Sequence, residues 1–394
     1  MSKAAVVVQR CHESIVGGSE ALAWQYAQLL SAVYEVEVLT TTALDYVTWS
    51  EALPAGVEKR QGVAVRRFPV TIGRTPYWHQ LHERMLRHRD AGCAGAWGLG
   101  LQEELIRFQG PYSAPLVRHL EDHGDEYRVI LFTTYLYPTT YFGANAAPSR
   151  RSLLAPTLHD EPFAHLSAYR FMARRLAGML WLTEAERDLS RQLWGDLPGR
   201  VTAMAVGVDP APPAQPGYPY LLYSGRLDPA KGCDLMLDRF RRWKQRRPSP
   251  VRLVLTGDGP LQQKEQPDVV FRGQVSEGDK FALMAGAAAF IMPSPWESFS
   301  VATLEAMAQK TPVLVNAESA VLNDHVVRSG AGRVFSDEES FCAGLNDLLG
   351  DERRRVAMGA RGREYVTARY QTEVVRTALL EEVELRTRPS KACA

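Results

Sequence analysis

AAFIMPSPWESFSVATLEAMAQKTPVLVN, residues 288–316, runs a short apolar segment into a Pro- and Ser-rich break, then a helical stretch, then a second short apolar segment. The two apolar runs have strand length, and prolines flank both. Between them, VATLEAMAQ is made of good helix formers. A strand, a crossover helix and a second strand make a unit of parallel sheet, with its functional loops beyond the carboxyl ends of the strands. The loop here holds Glu297, Ser298, Phe299 and Ser300, and Glu305 follows eight positions after Glu297. Ser298 or Ser300 can cap the helix, so free backbone N–H groups at its start would lie beside Glu297. Eight residues at helical rise reach about 12 Å, which lets the two carboxylates serve opposite ends of one ligand. Acceptor-only carboxylates hold sugar hydroxyls well. Read alone, the segment also fits a plain helix-start Glu and a helix-surface Glu.

The same alternation extends in both directions. Downstream of Tyr220 come the strand YLLYSG, the helix CDLMLDRFRRW, the strands VRLVLTG and DVVFRG, and the helix KFALMAGA. Upstream, AAVVV (4–8) and EVEVLT (35–40) flank the helical stretch SEALAWQYAQLLSAV. VAVRRF (63–68), residues 128–134, residues 151–158 and VTAMAV read as further strands, with residues 75–124 mostly helical. Proline-dense GVDPAPPAQPGYP, residues 207–219, reads as a linker. The expectation is an α/β protein of two Rossmann-like parallel-sheet domains facing across a cleft: residues 1–206, the linker 207–219, residues 220–370, and a helical tail 371–394 packing back toward the first domain.

A length of 394 residues agrees with two cores, and 45% hydrophobic with 23% charged residues excludes a disordered chain. A net charge of +1 argues against nucleic acid as partner. Cys11, Cys93, Cys233, Cys342 and Cys393 are widely spaced and form no metal-ligand pattern, which reads as reduced thiols in the cytoplasm. MSKAAVVVQR is too short for a signal core or a span, no later stretch has membrane-span length, and no internal repeat is visible. The aromatic and basic stretch 66–89 reads as a solvated face, with peripheral contact to anionic lipid or an acidic acceptor as its alternative; RRWKQRR, 241–247, reads the same way.

Four loops follow strands and carry chemistry. GRLDPAKG, 225–232, puts Arg226 and Lys231 around a turn, where two cations suit a diphosphate; a solvated basic turn is the alternative. TGDGP (256–260, with Gly259) and VVFRGQVS (269–276, with Arg272 and Val275) bring glycine behind a strand, as a flat base requires and as an ordinary turn also provides. ESIVGGSE, 13–20, offers Gly17 and Gly18 for close backbone approach and Ser19 as a helix cap, or a plain βα turn.

Taken together and in order, GRLDPAKG, TGDGP, VVFRGQVS and AAFIMPSPWESFSVATLEAMAQKTPVLVN resemble the carboxyl-terminal domain of the family-4 retaining glycosyltransferases of GT-B fold, the glycosyl transferases group 1. GGSE and LHDEP (158–162) agree more loosely in the first half. The resemblance implies a donor-binding second domain and an acceptor-binding first one. By it, Glu297 holds donor-sugar hydroxyls and Glu305 the ribose. Arg226 and Lys231 take the diphosphate, and the Phe299 and Ser300 amides, with Ser298 beside them, assist. The Arg272–Val275 loop and Gly259 border the base. Gly17 and Gly18 approach a phosphate or the acceptor, and His159 faces the donor sugar. Ser300 stands where many relatives have glycine, Trp296 replaces Tyr or Glu, and Gln309–Lys310 replaces a small-residue pair.

The implied reaction moves a sugar from a nucleotide diphosphate sugar, UDP- or GDP-linked, to a hydroxyl of a carbohydrate, lipid-linked or small-molecule acceptor. It would proceed with retention and without metal or cofactor, in the cytoplasm or at the inner face of the membrane. A nucleotide-sugar epimerase of the same architecture and a non-catalytic sugar-nucleotide-binding protein are the rivals. A dinucleotide oxidoreductase is disfavoured because GxGxxG is lacking.

Overall fold

The computed structural model describes residues 1–15, 17–87, 97–261 and 267–388. Cys93 and Cys393, and the end of the basic stretch 66–89, lie outside them. The chain divides into two compact units, Met1–Met204 with Arg376–Ala394, and Ala205–Val375.

The first unit is built on eight strands: β1 (Lys3–Val7), β2 (Glu35–Thr41), β3 (Gly56–Arg60), β4 (Val63–Phe68), β5 (Tyr127–Thr133), β6 (Ser152–Ala155), β7 (Gly178–Trp181) and β8 (Gly199–Val201). Their order is β3-β4-β2-β1-β5-β6-β7-β8, parallel except for β3 against β4. Ala4–Val7 and Val129–Phe132 are fully buried, because helices cover both faces of such a sheet and leave no polar side. Chain order reverses between β1 and β5, the topological position at which sheets of this class present ligand sites.

The second unit has β9 (Tyr220–Ser224), β10 (Arg252–Thr256), β11 (Val269–Phe271), β12 (Ala289–Met292), β13 (Val313–Asn316) and β14 (Gly332–Phe335), ordered β11-β10-β9-β12-β13-β14. All pairings are parallel. The reversal falls between β9 and β12, so the loops that follow these two strands meet at the sheet's carboxyl edge.

Several expectations are corrected. The strand expected at 201–206 stops at Val201, because Thr202 and Ala203 both donate to the Trp181 carbonyl and Ala203 turns to φ 60°. The strand expected through residue 158 ends at Ala155, and Thr157 has φ 52°. The edge strand β3, GVEKR, has no apolar alternation to reveal it; it pairs through a tight turn whose Gln61 and Gly62 both have positive φ. Residues 207–219, expected as an extended linker, form no helix or strand and are tethered to the second unit. The Gln309 side chain donates to the Asp209 carbonyl at 2.8 Å and accepts the Ala211 N–H at 2.9 Å, and the Ala214 N–H reaches the Ala282 carbonyl. The last helix, Thr372–Thr387, has its later part in the first unit, where Glu384 accepts from Tyr34 Oη at 2.9 Å and Glu381 pairs with Arg200 at 2.6 Å. Among the described residues no helix is long and apolar enough to cross a membrane.

Candidate functional site

In the second unit the loop after β9 is shaped by its own polar groups. Asp228 Oδ1 accepts the Ala230 N–H at 2.9 Å and so caps the short turn Pro229–Lys231. Gly232 then adopts φ 74°, and a Cβ there would stand 2.6 Å from the Pro293 carbonyl oxygen, on the loop after β12. Only glycine satisfies both the dihedral and the approach. Lys231 therefore reaches across, its Nζ 2.8 Å from Glu297 Oε1 and 3.3 Å from the Trp296 carbonyl. Arg226 is half exposed and pairs with Asp228 Oδ2 at 3.0 Å. Both cations expected at a diphosphate are present at the reversal point, each beside a carboxylate in this state.

Beyond Glu297 the chain turns through Ser300, at φ 60° and ψ 65°, into the helix Val301–Ala308. Glycine reaches that left-handed conformation at least cost, and here a serine holds it. Ser300 occupies the cap position, yet its hydroxyl meets Thr303 Oγ1 at 2.9 Å instead of a backbone N–H, so the expected side-chain cap is not made there. Thr303 is the first helix amide to find a carbonyl, that of Ser300. Among the described residues the Val301 and Ala302 amides meet no acceptor, which leaves donors at the positive end of the helix.

Glu305, buried within that helix, pairs with Lys280 Nζ at 2.8 Å. Desolvation raises its pKa while Lys280 pulls it down. It is not the surface residue of the bland reading. Gly259 is a packing glycine, since a Cβ on it would meet the Leu227 carbonyl oxygen at 2.1 Å and wedge the β9 and β10 loops apart. Arg272 is exposed and Val275 half-buried on the loop after β11, where Gly273 accepts the Gly257 N–H.

Gly17, Gly18 and His159 belong to the first unit. Gly17 is the cap residue of the helix Gly18–Leu30, with no side-chain capping bond. Ser19 is not that cap: its hydroxyl accepts from Gln9 Nε2 and donates to Glu20 Oε2. A Cβ on Gly17 would stand 2.2 Å from Glu20 Oε2, whereas Gly18 faces open space. His159 is half-buried in the loop after β6.

Two supporting residues escaped the sequence reading. Glu186, buried, accepts the Leu158 N–H at 2.7 Å and the Leu182 N–H at 2.5 Å, so it sets the backbone next to His159. Burial raises its pKa to about 7 against four backbone hydrogen bonds. The pattern Thr183-Glu184-Ala185-Glu186 is a capping signature that marks this helix start in sequence. His325, also buried, has Nε2 3.0 Å from the Phe299 carbonyl and Nδ1 3.0 Å from Tyr365 Oη. Burial holds its pKa near about 4, so the ring is neutral. A neutral ring with an acceptor at Nε2 must donate there and accept from Tyr365 at Nδ1, which anchors the Glu297 loop from beneath. No sequence pattern distinguishes it from any other helix residue.

Residues 209–365, the stretch that holds the second unit's site loops, match the family model of glycosyl transferases group 1. The likeness to that family is carried by these residues of the second unit. It is 32% identical over 223 residues to a D-inositol 3-phosphate glycosyltransferase of Kineococcus radiotolerans, covering 45% of this chain and 50% of that one. A protein of the same name from Frankia alni is 25% identical, over 85% of this chain and 87% of the relative. The chain spans about half the length of the first of these, and 59% of a third, from Jonesia denitrificans. Among solved structures it is similar to sucrose-phosphate synthase from Thermosynechococcus elongatus, with TM-score 0.69 and 16% identity over 97% of this chain and 98% of that one. Anabaena HepE, solved with UDP and glucose, gives TM-score 0.70 and 15% identity over 98% and 100%. The fold is GT-B.

Proposed function

We propose that the protein transfers a sugar from a nucleotide diphosphate sugar to an acceptor hydroxyl, with retention and without a metal ion, in the cytoplasm. The observation that carries this is the Lys231–Glu297 pair at the β9/β12 reversal, with Arg226 on one side and the unpartnered Val301 and Ala302 amides on the other. In this reading Arg226, Lys231 and the helix-start amides take the charge that develops on the diphosphate as the bond from its oxygen to the anomeric carbon breaks. Glu297 and the loop to Ser300 hold the sugar, and Glu305 holds the ribose. The acceptor oxygen bonds to the anomeric carbon on the face the leaving group vacates, its proton passes to a phosphate oxygen, and the nucleoside diphosphate departs. UDP or GDP is the expected carrier; the relatives named for D-inositol 3-phosphate support a polyol acceptor.

The test is donor consumption by purified protein with UDP- and GDP-sugars, with and without excess EDTA, and the anomeric configuration of the product by NMR. Turnover that survives EDTA and gives a retained anomer is expected. Activity lost to the chelator and restored by Mg²⁺ or Mn²⁺ overturns the metal-free reading, an inverted anomer overturns retention, and an epimerised donor formed without acceptor overturns transfer.

A further inference from the structure

At the reversal point of the first unit's sheet, four loops that follow β1, β2, β4 and β5 converge on Trp49. This tryptophan is 1% exposed yet has φ 61°, a conformation that a bulky residue adopts only where its surroundings impose it. Its indole N–H donates to the Gln109 carbonyl at 3.0 Å. Close approach fixes the neighbours: a Cβ on Gly110 would stand 2.7 Å from the indole, and one on Gly73 would stand 2.5 Å from the Thr48 carbonyl oxygen. Around this fixed ring lie Arg10, its guanidinium carbon 5.9 Å from the ring centre, Arg74 at 5.8 Å, and Tyr137 edge-on at 5.3 Å.

Three carboxylates stand near this group, and each has its own partner. Glu20 pairs with Arg10 at 2.5 Å. Asp45 accepts from Val47, Thr48 and Ser50 backbone amides and from the Thr48 and Ser50 hydroxyls. Glu161 accepts from Tyr135 Oη at 2.6 Å. Arg74 has none of them: its Nε donates to the Gln109 carbonyl at 3.3 Å, its face lies 4.7 Å from the Trp78 ring, and its terminal nitrogens meet no acceptor among the described residues. The Tyr137 hydroxyl likewise meets no partner among them, although it is half-buried in the combined field of Glu20, Arg10, Arg74 and Glu161. A guanidinium held between two indoles with its fork unused, beside an unused phenol donor, matches an oxyanion.

We propose that Arg74 and Tyr137, with Arg10 behind them, form an anion subsite in the first unit that takes the phosphate monoester of a small acceptor. The proposal rests on the glycosyl-transfer reading and adds that the acceptor is acidic. Planar fork and phenol together supply three donors to one tetrahedral group, and the Trp49 seat keeps them in place before the ligand arrives, which lowers the cost of ordering on binding.

The experiment is calorimetric titration of the full chain, with UDP saturating and with UDP absent, at constant ionic strength. The probes are inorganic phosphate, glucose 6-phosphate, glucuronate and glucose. Inorganic phosphate and glucose 6-phosphate are expected to bind with UDP present, glucose far more weakly. Arg74→Gln should weaken the phosphate probes by about tenfold or more, and Tyr137→Phe by several-fold. Arg74→Lys should fall between Arg74→Gln and the native protein, since charge without the fork is retained. Absence of phosphate binding to native protein, equal affinity in folded Arg74→Gln, or glucose binding as tightly as glucose 6-phosphate overturns the subsite. Glucuronate binding as tightly as glucose 6-phosphate overturns its assignment to phosphate. UDP should bind native protein and Arg74→Gln alike; failure of UDP to bind, with phosphate still captured through Arg74, removes the donor reading and leaves the anion subsite standing.

Discussion

Lys231 Nζ lies 2.8 Å from Glu297 Oε1, and this pair joins the two loops at which the second unit's strand order reverses. The lysine thereby holds the carboxylate that, in the proposed reaction, also receives sugar hydroxyls. Glu297 is largely shielded and Lys231 about one third exposed, so removing either leaves its partner's charge poorly solvated.

Lys231→Ala should therefore lower kcat more than it raises KM for the donor, because a cation beside the departing diphosphate strengthens its contact as the bond to the anomeric carbon breaks. A loss on the order of a hundredfold is expected. The double variant Lys231→Ala/Glu297→Ala should lose less than the two single losses combined, since the pair acts as one unit. Steady-state kinetics on variants with native circular dichroism check this. Fully additive losses would show that the two side chains act independently, and native kcat in Lys231→Ala would place Lys231 outside the reaction.

Glu186 makes a prediction about pH. Its carboxyl is raised from about 4.5 to about 7 in the folded chain by burial. A raised folded value means that the protonated form is favoured on folding, so the stabilisation is complete below the unfolded value and is lost as pH rises toward 7. Two to three pKa steps correspond to about 3 kcal/mol. Glu186→Gln should flatten the stability profile between about pH 4.5 and 7, while leaving one of the Leu158 and Leu182 amides without an acceptor, a loss of about 1–3 kcal/mol. Thermal unfolding of both proteins across that range decides it; parallel profiles would show that Glu186 does not titrate there.

How much of this was legible in sequence differs by element. The second unit could be read closely because its strands are buried on both faces and stand out as apolar runs between turn residues, as in AAFIM and TPVLVN. β3 was hidden because an exposed edge strand such as GVEKR carries no apolar period, and β7 because GMLW is too short to show one. Strand ends at Val201 and Ala155 are set by positive dihedrals at Ala203 and Thr157, which side-chain identity does not announce. The site's chemistry-bearing residues were visible as residue types after strands. Their partners were not: Lys280 for Glu305, the tether from Gln309 to residues 209–211, and His325 beneath Phe299 all depend on contacts between segments far apart in sequence. Trp49 and Arg74 went unread as a pair for the same reason.

Adjacent glycines at 17 and 18 should separate ligand approach from internal packing. A methyl at Gly18 meets nothing within 4 Å, and Gly18 opens the helix Gly18–Leu30, so Gly18→Ala should keep the fold and raise stability by up to about 1 kcal/mol through a less flexible unfolded chain. If a phosphate or acceptor approaches the backbone there, the same methyl should raise KM for that ligand several-fold with kcat little changed. At Gly17 the methyl would instead meet Glu20 Oε2 at 2.2 Å. Glu20 can swing away, since it is the far end of a flexible side chain, but doing so breaks its 2.5 Å pair with Arg10. Gly17→Ala should thus act through Arg10, lowering stability and weakening acidic ligands of the first unit together. Unfolding midpoints and donor and acceptor KM values for the two variants separate the cases: native kinetics in Gly18→Ala would remove ligand approach from this turn and leave Gly17 with a packing role alone.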